Sequence, residues 1–66
     1  ADRTELIGMT GLTITPVHPS GTVVINDKRY GVVSEGDFID KNVNVKVIDV
    51  EGMRIVVRKI EEEKDA

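Results

Sequence analysis

His18, Ser20 and Ser34 are the residues of this chain whose types could supply a base and a nucleophile; Glu35, Asp37 and Asp40 could supply oxygen ligands to a cation. A general base must lie within hydrogen-bond reach of the proton it removes. His18 is the single histidine, sits against Pro19 and has no nucleophile at a recognised spacing, so it reads as a surface loop residue. Neither serine lies in a Gly-x-Ser-x-Gly elbow. Ser20 fits a turn, and Ser34, three residues before Asp37, fits the cap of a helical turn. A Ser–Lys pair needs a deep pocket, and a small filled fold offers little room for one. Glu35, Asp37 and Asp40 lack the ligand spacing of a calcium loop and read as solvated carboxylates. Gly8 and Gly11 lack the lysine and helix start of a phosphate-cradling loop. The expectation is a chain with no catalytic, cofactor-binding or metal-binding residues.

The elements that would hold any site must be few. With 66 residues the chain forms one domain. A domain of this size buries only about 60% of the surface its unfolded chain exposes. There is no cysteine to staple it, which fits a reducing compartment. The apolar residues are mainly Val and Ile, which suit pleated strands. No apolar run approaches the roughly 20 residues needed to span a bilayer. The first residue is not Met, in keeping with a domain excised from a longer protein. A net charge of -3 and 3% aromatic content argue against nucleic-acid binding. Phosphate neutralisation needs clustered Lys and Arg, and single strands need stacking platforms.

Residues 1–5 read as a flexible linker, 6–60 as the folded domain and 61–66 as a solvated acidic tail. Leu12-Thr13-Ile14-Thr15 alternates apolar and polar residues and predicts a half-buried strand ended by Pro16. A second strand is expected over Gly21–Ile25, with Val23 and Ile25 on one face. Asn26-Asp27 is a hairpin signal, since both residue types tolerate positive φ. The third strand runs from Lys28 to about Val33, with Tyr30 and Val32 on the face of Val23 and Ile25. Gly31 suggests a tight bend or a close backbone approach. Residues 34–42 have room for about one helical turn, with Phe38 and Ile39 as a plug over one end of the core and Asn42 left-handed. From Val43 to Val50 the alternation slips by one residue after Val47, the signature of a β-bulge. Glu51-Gly52 then turns the chain into a last strand through Ile55 and Val57. Five short strands and a bulge predict an all-β, five-stranded, closed OB-like barrel, because an open sheet would expose a second face and two edges.

Alternation leaves Val24, Val33 and Val56 pointing outward, with Arg54 on the same face of the last strand. Arg54, Arg58 and Lys46 could form a basic stripe, which reads as ordinary solvated sheet. A contiguous apolar set on the outside would mark a contact surface. Val24, Val33, Arg54 and Val56 are therefore the candidate partner-binding residues.

From about Leu6 to Ile60 the chain resembles the C-terminal domain of NfeD-like membrane proteins. The resemblance is carried by Gly8-x-x-Gly11, Pro16-x-x-Pro19-x-Gly21, Lys28-Arg29-Tyr30, Ser34-Glu35-Gly36-Asp37-Phe38-Ile39, Val45-x-Val47, Glu51-Gly52 and Ile55-Val56-Val57. It implies an OB-type barrel joined to membrane-spanning helices outside this chain, facing the cytoplasm, and a partner of the stomatin, prohibitin or flotillin type. Longer members of the family carry a serine-protease domain, none of which is present here, so no catalytic residue is carried over. His18, Asn26-Asp27 and Asn42 depart from the family pattern without opposing the fold. The expected function is a noncatalytic interaction domain in membrane quality control or microdomain organisation. The alternatives are a single-stranded nucleic-acid-binding module and an accessory domain of a linked membrane serine protease.

Overall fold

A computed structural model describes residues 4–60. Five strands, β1 (Thr10–Thr13), β2 (Ser20–Ile25), β3 (Lys28–Ser34), β4 (Asn44–Glu51) and β5 (Arg54–Lys59), close into a barrel in the order β1-β2-β3-β5-β4. Every neighbouring pair is antiparallel except β3 and β5, which run parallel. The core is built from Val23, Ile25, Val32, Val45, Val47, Ile55 and Val57, joined by Leu6, Val17 and Ile39 from outside the strands. The expected linker of residues 1–5 lies only partly in view: Thr4 and Glu5 form a 3-10 turn with Leu6, and residues 1–3 and 61–66 fall outside the described residues.

The β2–β3 hairpin follows its sequence signal. Asn26 and Asp27 both adopt positive φ, 52° and 66°, as the two-residue turn requires. Val23 then lies opposite Tyr30 and Gly21 opposite Val32, so Tyr30 and Val32 share the core face with Val23 and Ile25. The bulge is also where the alternation slips. Val47 pairs with Val57 and Asp49 with Val56, which leaves Ile48 as the extra residue. Val50, beyond the bulge, packs against the core, whereas Ile48 does not join it. The following turn is Gly52-Met53, one residue later than expected, because Glu51 still pairs with Arg54.

Three local expectations need correction. The first strand is Thr10–Thr13 rather than residues 12–15, and its buried face is the polar one. Thr13 is fully buried, while Leu12 is 40% exposed. Thr13 is accepted inside because its hydroxyl is satisfied: it donates to the Asp40 carbonyl (2.8 Å) and accepts the Val43 N–H (2.9 Å). Second, no helical turn forms after β3. Ser34 donates its hydroxyl to the carbonyl of Asp37 (2.6 Å) instead of capping an N–H, and the chain bends through Gly36 at φ 100°. Third, Gly31 is neither a bend nor a close approach. A Cβ built there meets nothing within 4 Å. The close approaches belong to Gly11, whose Cβ would meet the Val24 carbonyl oxygen, and to Gly21, whose Cβ would meet the Pro16 carbonyl oxygen.

Both ends of the barrel are stoppered. At one end Val17 and Ile39 exchange backbone hydrogen bonds of 2.8 and 3.0 Å and bury both side chains, tying the β1–β2 loop to the β3–β4 loop. Ile39 is thus the expected plug; Phe38 is not, being 55% exposed. At the other end Leu6 closes the core, held by a Gly8 N–H bond to the Val47 carbonyl (2.8 Å). Asn42 takes φ 65°, as expected of the residue that turns the chain into β4.

Candidate functional site

The chemistry-bearing side chains do not converge. The His18 ring packs edge-on against Phe38, centroids 4.8 Å apart, at the end of the barrel where β2 begins. The Ser34 hydroxyl is committed to Asp37. Among the described residues no three of His, Cys, Asp and Glu are grouped to hold a metal ion. Asp37 and Asp40 contribute backbone carbonyls to internal bonds, and Glu35 lies 3.9 Å from Arg58 with both side chains well exposed. An exposed pair of that length contributes little to stability.

The outer face is more organised. Val33 and Val56 are register partners across the β3–β5 seam. Both point outward, since their strand neighbours Val32, Ser34, Ile55 and Val57 are the buried ones. Val56 is far less accessible than alternation suggests, at 8%, yet it lies outside the core cluster. Val24 is half-buried on β2 beside Leu12 of β1 and opposite Arg29 of β3. Arg54 is exposed at the start of β5. Val33, Val56 and Arg54 therefore gather at the seam. Val24 is separated from them by the row that pairs Thr22 with Gly31.

Sequence reasoning missed three parts of this surface. Ile14, half-buried, donates its N–H to Thr22 (3.0 Å) and extends the outer face beside Val24. Leu12 adds to it, and the inverted phase of β1 hid both. Met53 stands 83% exposed at the β4–β5 turn, although it shares the phase of buried Ile55 and Val57. Finally, a recess of about 340 Å³ lies between the 3-10 turn and the β2–β3 hairpin, lined by Glu5, Leu6, Met9, Asn26, Lys28 and Tyr30. No spacing in the sequence announces it, because its walls come from two separate segments, 5–9 and 26–30.

The family model described as an NfeD-like C-terminal, partner-binding domain matches residues 3–59. The membrane protein NfeD1b of Bacillus subtilis (strain 168) is 62% identical over 58 residues, covering 88% of this chain and 13% of that protein. The chain thus spans about an eighth of the length of that relative. Among solved structures, the C-terminal domain of stomatin operon partner protein 1510-C from Pyrococcus horikoshii superposes with a TM-score of 0.82 at 24% identity, covering 88% of this chain and 92% of that one. The soluble domain of the NfeD protein YuaF from Bacillus subtilis superposes with a TM-score of 0.78 at 26% identity, covering 92% and 81%. Among the described residues no helix is long and apolar enough to cross a membrane.

Proposed function

The chain belongs to the NfeD-like C-terminal, partner-binding domain family, and from that premise we propose that it is a noncatalytic interaction module of a membrane protein. Its partner is a protein of the stomatin, prohibitin or flotillin class, and the complex serves membrane quality control or microdomain organisation. The family description supports partner binding, and one structural relative is itself described as a stomatin operon partner protein. The membrane attachment lies in segments outside this chain, as suggested by the membrane relative of which it spans an eighth, and the domain faces the cytoplasm.

The observation that carries the reading is the outward placement of Val33 next to its register partner Val56, near Arg54 on a barrel whose interior is filled. Branched side chains left on the outside of a rigid sheet form the kind of preorganised surface that partners desolvate. Val24, with Leu12 and Ile14, extends it across β2 and β1. Binding works by shape complementarity, with no bond made or broken.

The test is a titration of the 66-residue chain with a stomatin-class protein, comparing parent, Val24→Asp and Val33→Asp. Both positions face outward, so the thermal transition should persist while affinity falls by about tenfold or more, roughly 1.4 kcal/mol per decade. Unchanged affinity in both variants rejects this face. A parent chain that binds no stomatin, prohibitin or flotillin-type protein rejects the partner class.

A further inference from the structure

The barrel closes at one seam through a short parallel contact. β3 and β5 share two register pairs, Val33 with Val56 and Ser34 with Val57. Among the described residues no strand is in register with the outer edge of β3 at Arg29 or Gly31. Which backbone groups that edge presents follows from the hairpin. A two-residue turn makes Ile25 and Lys28 the first hydrogen-bonded pair, and bonded and non-bonded pairs then alternate. Tyr30 and Val32 therefore bond toward β2, whereas Arg29 and Gly31 direct their N–H and C=O groups away from it. The Ser34 N–H bond to the Pro19 carbonyl (2.7 Å) confirms this parity at the far end of the strand.

Side chains on either side of this edge differ in chemistry. Outside stand Arg29, across from Val24, and Arg54, which the parallel register places level with Gly31. Among the described residues neither guanidinium has a carboxylate within 4 Å; Glu51, the cross-strand neighbour of Arg54, does not reach it. Inside lies the recess, walled by Leu6, Met9 and Tyr30 together with Glu5, Asn26 and Lys28. Gly31 leaves open space between the two arginines, and exposed Met53 stands at the tip of the opposing hairpin.

We propose that this edge is completed by an extended segment of the partner protein, added as a strand alongside β3 and carrying alternating apolar and acidic residues. The inference rests on the partner-binding reading above and names how that partner is held. The added backbone takes the free groups of Arg29 and Gly31. Because side chains alternate along a strand, apolar residues enter the recess while acidic ones meet Arg29 and Arg54. The same arginines disfavour edge-to-edge pairing with a second copy of the chain, as edge charges do.

The experiment is an NMR titration of the labelled chain with a capped peptide of about eight residues, strand length, alternating valine and glutamate. A valine–lysine peptide is the control. The expected result is slowed amide exchange at Arg29 and Gly31, with no binding of the lysine peptide. Gly31→Pro, which removes one edge donor at a position where an added Cβ meets nothing within 4 Å, should abolish binding. Arg29→Glu with Arg54→Glu should weaken the glutamate peptide by about tenfold and admit the lysine peptide; this pair decides the matter if Gly31→Pro does not fold. Protection elsewhere, no binding of the glutamate peptide, or unchanged affinity in folded variants overturns the proposal. So does a single-stranded oligonucleotide that alone protects these amides. A stomatin-class protein that still binds Gly31→Pro but not Val33→Asp removes the edge and leaves the partner reading standing. Loss of binding by the parent chain removes that reading itself.

Discussion

Thr13 and Val43 are joined twice: the Thr13 N–H donates to the Val43 carbonyl (3.0 Å), and the Val43 N–H donates to the Thr13 hydroxyl (2.9 Å). With the further bond from that hydroxyl to Asp40, a single fully buried side chain fixes where the β3–β4 loop enters β4. Thr13→Val keeps the shape but leaves the Val43 N–H and the Asp40 carbonyl without this partner. A buried group left unsatisfied costs about 1–3 kcal/mol. Urea unfolding should show a loss of that size, and Thr13→Ser should recover most of it.

Two glycines should respond in opposite ways to the same methyl group. At Gly21 an added Cβ meets the Pro16 oxygen at 2.3 Å and a Val17 methyl at 2.8 Å, so backbone must shift. Gly21→Ala should cost about 2 kcal/mol or more, in the range of overpacked cores. At Gly31 nothing lies within 4 Å, and the backbone is extended strand. Gly31→Ala should be neutral or stabilise by about 0.5–1 kcal/mol through reduced freedom of the unfolded chain. Thermal denaturation of the two variants side by side checks the contrast.

Adjacent residues Phe38 and Ile39 should also separate. Ile39 is buried against Val17 and closes the core, so Ile39→Ala should cost about 2–5 kcal/mol. Phe38 stays more than half exposed and touches the His18 ring edge-on, so Phe38→Ala should cost about 1 kcal/mol or less. Equal losses at the two positions would mean that the plug is shared.

Lys46 and Arg58 lie directly opposite each other on β4 and β5. Like charges in that position oppose strand pairing. Lys46→Glu should therefore raise the melting temperature slightly, and the gain should vanish near about 1 M salt, where surface charges are screened.

The sequence made the architecture legible wherever one residue type has one physical use. Asn26-Asp27 supplies two positive φ values, the slip after Val47 marks the bulge, and alternation in β2 sorts Val23 and Ile25 from Val24. Reading failed where tertiary partners reversed a local preference. Thr13 goes inside because two distant backbone groups satisfy its hydroxyl, and Leu12 goes outside as a consequence. Ser34 looks like a helix cap until Ile39 is drawn across to Val17, which extends the segment. The proposed contact residues were legible as outward positions through alternation. Their gathering at one seam was not, since the parallel pairing of β3 with β5 joins segments more than twenty residues apart. The near-burial of Val56 followed the same route.

Among the described residues the β3–β5 contact is the only parallel one in the ring, and like the β1–β2 contact it spans two register pairs. Unfastening that clasp would spare all four antiparallel ladders and unroll the cylinder into a continuous ribbon ordered β3-β2-β1-β4-β5. Such a layout sets this clasp apart by direction alone: it is the one strand contact among the described residues that the four antiparallel ladders do not include.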